Sequence, residues 1–180
     1  MTGKPLPGDF SHEERIARMI RVNHAGEYGA KRIYAGQLAV LGKSASAPVL
    51  KEMAEQEEKH LERFSELMVK RRVRPTALMP LWHIAGYALG AATALMGEKA
   101  AMACTVAVES VIDGHYAKQE EELGQGDEPL SRMVKEFRAD EKEHHDTALA
   151  CGAAQSPFYG ALTAAISLQT KLAIWLSTRF

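Results

Sequence analysis

The chain has 180 residues, with 22 basic and 23 acidic side chains and a formal charge of −1 at pH 7. That leaves room for one domain with a substantial core, and no field strong enough to make nucleic acid the partner. Cys104 and Cys151 sit among small apolar residues without C-x-x-C spacing, which argues against a disulfide framework or a thiolate zinc site and for reduced core residues. The opening MTGKPLPGDF has neither the basic-then-apolar order of a secretion signal nor the arginines of an intact transit peptide, so the chain reads as cytoplasmic from synthesis or already processed.

Alanine, Leu, Met, Glu and Lys abound while alternating runs of Val, Ile and Thr are missing, so helix is expected almost everywhere. Residues 1–10 read as a flexible N-terminus and 11–180 as a single domain of six helices. The first is expected from about Ser11 to Leu41. After GKSASAP, Ser46 is placed as N-cap and Pro48 just inside a second helix that reaches about Arg72. Pro75 and Pro80 bracket a restart, and an apolar segment then runs to Met96. A fourth helix is expected from about Glu98 to Leu123, followed by the loop GQGDEP. Asp127 or Ser131 would cap a fifth helix to about Ala150, and Ser156 with Pro157 would open the last.

A weak internal repeat organises these helices. Glu27 precedes the pair Glu57/His60 by 30 positions, and Glu109 precedes the pair Glu141/His144 by 32. Glu-x-x-His alone is a poor signal, since roughly 0.7 such pairs are expected by chance at this composition. Their register on the helices is more informative. Leu50, Met53, Glu57, His60 and Leu61, Phe64 and Leu67 follow the three-then-four spacing of a core-facing stripe, and Leu130, Val134, Phe137, Glu141, His144, Ala148 and Cys151 repeat it. Glu109 is the one charge in the run AMACTVAVESVI, and Glu27 interrupts the stripe Ile16, Ile20, Asn23, Ala30, Tyr34, Leu41. Four inward carboxylates without cations would repel one another. With two metal ions between them, four carboxylates and two imidazoles become the ligand set of carboxylate-bridged di-iron and di-manganese bundles, one Glu from each of two helices and a Glu-x-x-His from each of the others.

Residues around the sextet are assigned by position. Asp140 and Gln56 each precede a ligand Glu, from where either side chain could accept a hydrogen bond from the opposite histidine, or simply face solvent. His145 has Lys142 three residues earlier and falls off the stripe, so it is expected either to support a ligand from behind or to face solvent. His115 and Tyr116, two turns beyond Glu109, suit a proton or electron relay beside the metals, or an ordinary packing pair. The role of His24 is left open, and His12 and His83 are taken as structural or surface residues.

Between Arg74 and Glu98 the chain carries no charged residue, a stretch long enough to span a bilayer. Pro80, His83 and glycines 86, 90 and 97 weaken a spanning helix, so residues 75–97 are read as a monotopic helix lying in one leaflet. KRRVR just before it would meet anionic headgroups, and residues 156–180, with Trp175, Phe180, Lys171 and Arg179, form a second amphipathic interfacial element. A buried bundle helix is the alternative for the apolar segment.

The stretches IRVNHAGEYGAKRIYAGQLAVLG, QEEKHLERFSELM, RVRPTALMPLWHIAGYALGAATALMG, AMACTVAVES and DEKEHHD make the chain resemble the demethoxyubiquinone hydroxylase family, from about Glu14 to the C-terminus. Glu27, Glu57, His60, Glu109, Glu141 and His144 match that family's metal residues position by position, and His115-Tyr116 matches a His-Tyr pair found there. The resemblance implies an all-α, ferritin-like four-helix bundle with two additional membrane-associating helices. It also implies a di-iron monooxygenase, cycling between Fe2+ and Fe3+, that hydroxylates the ring of a polyprenylated demethoxyubiquinol at the penultimate step of ubiquinone synthesis. O2 would be co-substrate. The resemblance also implies NADH as a possible electron source, while direct NADH binding is left open because the sequence holds no dinucleotide fingerprint. Expected partners are the quinol, a membrane lipid surface, a lipid-binding accessory protein of the same pathway and a second copy of the chain. The expected location is the cytoplasmic face of a bacterial inner membrane, or the matrix face of the mitochondrial one. Ferritin-like iron storage and a peroxidase-type di-metal protein are the competing functions, since the ligand types do not distinguish iron from manganese.

Overall fold

Helices are the only regular elements among the described residues, 10–124 and 126–180 of a computed structural model. They are α1 (His12–Leu41), α2 (Ala47–Arg71), α3 (Met79–Leu95), α4 (Glu98–Leu123), α5 (Glu128–Ala150) and α6 (Tyr159–Ser177), with a short 3-10 turn at Ala153–Gln155 before α6. The flexible N-terminus expected over residues 1–10 lies, apart from Phe10, outside the described residues.

Local chemistry explains most of the boundaries. Ser11 starts α1 through a capping box, accepting from the Glu14 backbone N–H while the Glu14 carboxylate accepts from Ser11 N–H. The Asp127 side chain caps α5 by accepting from Leu130 N–H, with Pro129 in the first turn. At two helix starts the structure departs from expectation. Ser46 sits at the start of α2, but its side chain makes no cap; its backbone N–H and hydroxyl both donate to the Glu98 carboxylate at the start of α4. Ser156 and Pro157 do not open α6, which begins two residues later, after Phe158 in the left-handed region at φ 56°. Cys104 is buried as expected, while Cys151 is exposed because α5 ends at Ala150 and leaves it as the cap.

The internal repeat extends to three helices per half. Hairpin α1–α2 matches hairpin α4–α5; α3 packs on α1, and α6 packs on α4. Polar links tie the two halves where α1 and α4 pass each other. Asn23 and Gln119 exchange amide hydrogen bonds at 2.7 and 2.8 Å, and Gln37 Nε2 donates to the Ala101 carbonyl at 3.0 Å. Apolar clusters close the bundle on either side of this crossing. Ile20, Phe64, Leu130 and Phe137 form one, with the two phenyl rings edge to face at 5.4 Å, and Leu50, Met53, Met102 and Ala148 form the other.

No helix among the described residues is long and apolar enough to cross a membrane. Gly86 and Gly90 of the apolar segment pack against α1. A Cβ on Gly90 would collide with the Ile33 carbonyl, and one on Gly36 with the Tyr87 carbonyl, so α3 and α1 touch backbone to backbone. The start of α3 is tied to the end of α6, Trp82 Nε1–H donating to Ser177 Oγ at 2.9 Å. Leu81, Ile84, Tyr87 and Leu95 on α3 and Leu168, Leu172 and Trp175 on α6 remain exposed.

Candidate metal centre

Each of α1, α2, α4 and α5 turns a carboxylate into the middle of the bundle, and α2 and α5 add an imidazole one turn further on. Glu27, Glu57, His60, Glu109, Glu141 and His144 are each no more than 3% exposed. Their donor atoms form two overlapping groups, each within 4.8 Å: Glu27, Glu57, His60 and Glu141, and then Glu57, Glu109, Glu141 and His144. Glu57 and Glu141 belong to both groups, as bridging carboxylates would. Glu27 with His60, and Glu109 with His144, stand at the two ends.

Both histidines turn Nδ1 inward. His60 Nδ1 is 3.3 Å from Glu141 Oε1 and 3.6 Å from Glu27 Oε2; His144 Nδ1 is 3.2 Å from both Glu57 Oε1 and Glu141 Oε2. Their outward Nε2 atoms meet oxygen acceptors, Asp140 Oδ2 at 3.0 Å for His60 and Gln56 Oε1 at 2.6 Å for His144. An acceptor on Nε2 keeps the proton there when the ring is neutral, so that loss of a proton on metal binding would leave the Nδ1 lone pair facing inward.

The electrostatics of the cluster call for cations. Burial, then the charges of Glu141 and Glu27, hold the Glu57 carboxyl well above its usual range; burial, Glu141 and Glu57 do the same to Glu109. Burial would raise Glu141 too, but the hydrogen bond from His144 and the close approach of the His60 ring carry it down to about 2. Burial disfavours the His60 imidazolium, yet Glu141 and Glu27 outweigh it and push the group up to about 11; His144 is raised likewise, burial being overcome by Glu141 and Glu109. Glu57 Oε1 and Oε2 and His60 Nδ1 are buried without an aligned hydrogen bond. Carboxylate and imidazole donors aimed at a common point, some of them orphaned, fit a pair of first-row divalent ions.

Two tyrosines complete the surround. Tyr116 donates its hydroxyl to Glu27 Oε1, and Tyr34 donates to Glu109 Oε1 at 3.2 Å. Each lies seven residues after the glutamate of its own helix and serves the glutamate of the other. In the sequence Tyr34 is one member of a core stripe, and its spacing from Glu27, repeated between Glu109 and Tyr116, is the signal that marks it. His115 lines the same cavity but turns away from the carboxylates, accepting at Nε2 from Gln119 at 2.9 Å, and burial followed by Lys118 pushes it down to about 4. His115 is therefore neutral, and within the pair it is Tyr116 that touches the cluster. His145 pairs with Asp146 near the surface, His83 accepts or donates at 2.6 Å with the Tyr28 hydroxyl, and His24 has a buried Nδ1 without a partner.

The cavity around the carboxylates adjoins a larger apolar cleft between α1, α3, α4 and α6. The cleft encloses about 620 Å³, its open mouth included, with Gly29, Ile33, Trp82, Leu89 and Ala173 among its walls. Val22, Gly26, Ala30, Ile112 and Ile174 line both spaces. A buried ligand set opening onto an apolar cleft can present a hydrophobic molecule to a metal pair.

Known proteins are similar to this chain along nearly its whole length. Residues 14–177 match the family described as "Ubiquinone biosynthesis protein COQ7". The "3-demethoxyubiquinol 3-hydroxylase" of Rhodospirillum rubrum is 55% identical over 175 residues, 97% of this chain and 82% of its own. The "NADPH-dependent 3-demethoxyubiquinone 3-hydroxylase, mitochondrial" of Mus musculus is 53% identical over 176 residues, 96% of this chain and 81% of its own. The "5-demethoxyubiquinone hydroxylase, mitochondrial" of Saccharomyces cerevisiae is 42% identical over 181 residues, 91% and 78% of the two chains. With the match running from the capping box of α1 to the last turn of α6 and taking in all four helices that carry the cluster, the chain belongs to the COQ7 family of ubiquinone biosynthesis proteins.

Proposed function

We propose that this chain is an O2-dependent hydroxylase that adds one oxygen atom to the ring of a polyprenylated demethoxyubiquinol, the penultimate step of ubiquinone synthesis. O2 and two reducing equivalents are consumed, one oxygen entering the ring and the other leaving as water. The observation that carries this reading is the junction of the buried carboxylate cluster with the apolar cleft; the names of the relatives supply the substrate class. A storage protein has no need of that junction.

Two iron ions would be held by Glu27 and His60 at one end, Glu109 and His144 at the other, and Glu57 and Glu141 between. The iron pair, when bound, supplies the redox equivalents that activate O2. The remaining tasks fall to the chain itself. Asp140 and Gln56 orient the two imidazoles, while Tyr116 and Tyr34 keep the end carboxylates in place and hold a proton against each. Val22, Ile112 and Ile174 exclude water where the ring would enter, and Gly26 leaves the space for it. The exposed apolar residues of α3 and α6, with the basic run Lys70–Arg74, would rest on a lipid surface so that the prenyl tail stays in the bilayer. This peripheral location, on the cytoplasmic face of a bacterial inner membrane or its mitochondrial counterpart, is part of the proposal. Reduced nicotinamide nucleotide is the electron source we assign; the mammalian relatives' names specify NADPH.

Glu109→Ala tests the reading. The variant should keep its helix content, lose bound iron and lose quinol hydroxylation; an active Glu109→Ala protein would sink the assignment.

A further inference from the structure

We propose that the two ends of the metal centre are inequivalent, and that Asp140 makes the Glu27/His60 end the tighter one, filled first. This rests on the metal-binding reading above. The internal repeat makes the comparison possible, because each residue of one end has a counterpart at the other. Glu27 answers to Glu109, Tyr34 to Tyr116, Glu57 to Glu141 and His60 to His144, identical in type. Each end therefore offers one terminal carboxylate, one imidazole and the two shared carboxylates.

Two of the breaks in the repeat lie beside the histidines. Gln56 answers to Asp140. His144 Nε2 donates to the neutral amide oxygen of Gln56, whereas His60 Nε2 donates to the Asp140 carboxylate at 3.0 Å. A carboxylate acceptor draws the Nε2 proton toward itself and makes Nδ1 a stronger donor, and it adds a negative charge to one end only. Met53 answers to Phe137. The Phe137 ring stacks on His60 at 3.9 Å between centroids, 22° from parallel, and holds the imidazole plane, while Met53 Sδ lies 3.7 Å from the Tyr34 hydroxyl oxygen and His144 meets the edge of the Tyr34 ring at 6.3 Å. His60 is thus both better fixed and more basic toward a metal. The Asp140 side chain is 36% exposed, so solvent screens part of its charge, and about tenfold, the low end for such outer partners, is the expected effect on affinity.

The test uses a redox-inert occupant and no turnover. Metal-free protein is titrated anaerobically with Mn2+, followed by calorimetry and by the electron paramagnetic resonance of the isolated ion, which gives way to a coupled signal as the second ion enters. The unaltered protein should bind in two steps, with an isolated-ion signal at half loading. Glu109→Ala should retain the tight step and Glu27→Ala only the weak one. Asp140→Asn keeps an acceptor oxygen on His60 and removes the charge; it should weaken the first step about tenfold and leave the second unchanged. Gln56→Glu, the reciprocal change, should tighten the second. Ion–ion repulsion alone could split the steps, but it would not respond to Asp140→Asn. Equal steps in the unaltered protein, an unmoved first step in Asp140→Asn, or a tight step surviving in Glu27→Ala would overturn the proposal. Failure to bind Mn2+ at all would overturn it together with the metal-centre reading, and is distinct from each of these.

Discussion

Loading the metal-free protein with a divalent ion near neutral pH should expel protons, and their number follows from the cluster. A ligating imidazole must be neutral, yet His60 is pushed up to about 11 by Glu141 and Glu27 once burial is overcome, and His144 is raised in the same way. At pH 7.5, stripping His60 alone costs about 5 kcal/mol, from roughly 1.4 kcal/mol per unit of the gap. Glu57 and Glu109, raised by burial and by their carboxylate neighbours, are shifted in the same sense, while Glu141, held at about 2, is already ionised. At least about one proton should therefore leave per chain filled, and apparent affinity should rise with pH by up to tenfold per unit for each proton released. Calorimetric titration with Mn2+ in two buffers of different ionisation enthalpy counts them. Heat independent of buffer, or affinity flat from about pH 6.5 to 8.5, would refute the description of the cluster. The same shifts give a sign for stability. Groups whose folded value is raised, Glu57 and Glu109 from their ordinary range and His60 from its own, favour folding most at low pH and lose that contribution as pH climbs toward the folded value. The metal-free protein should melt at lower temperature at pH 8.5 than at pH 6, and bound metal should remove most of the difference.

Other outcomes follow from the packing. Gly90→Val drives a side chain into the Ile33 carbonyl and should cost about 1–3 kcal/mol, seen as a fall in melting temperature of several degrees; an unchanged melt would mean that α3 is not held against α1 as described. Ile174→Trp should fill the space where the cleft meets the centre, cutting quinol hydroxylation at least about tenfold while metal stoichiometry is kept. Undiminished turnover would place substrate entry elsewhere. Tyr34→Phe removes the donor to Glu109 Oε1 and should leave folding near normal while changing the spectrum of a bound ion at that end; identical spectra would show that the hydroxyl does not act on the centre.

Helix order and number were legible because apolar spacing and Pro and Gly punctuation act locally, and Asp127 capped α5 for the same reason. Ser46 was misread because its partner, Glu98, is distant in sequence. The start of α6 was misread because the 3-10 turn and the left-handed Phe158 have no side-chain cap to announce them. The six cluster residues stood out as charges in apolar stripes, a pattern with few cheap explanations, and the structure brings all six together. Tyr34 did not stand out, since an aromatic in a core stripe looks like packing. Neither did the cleft: its walls depend on what Gly26, Gly29 and Ala30 lack, and a missing side chain leaves no chemical mark in a sequence.

The most direct measurement is anaerobic reconstitution of the protein with ferrous iron, followed by addition of a demethoxyubiquinol, 18O2 and a reductant, with metal content and the mass of the quinone read from one sample. The account predicts two irons per chain and a product carrying one 18O atom in its ring. Two irons with an unlabelled, unchanged quinone would contradict the hydroxylase reading, and a chain that binds no iron would contradict the centre on which it rests.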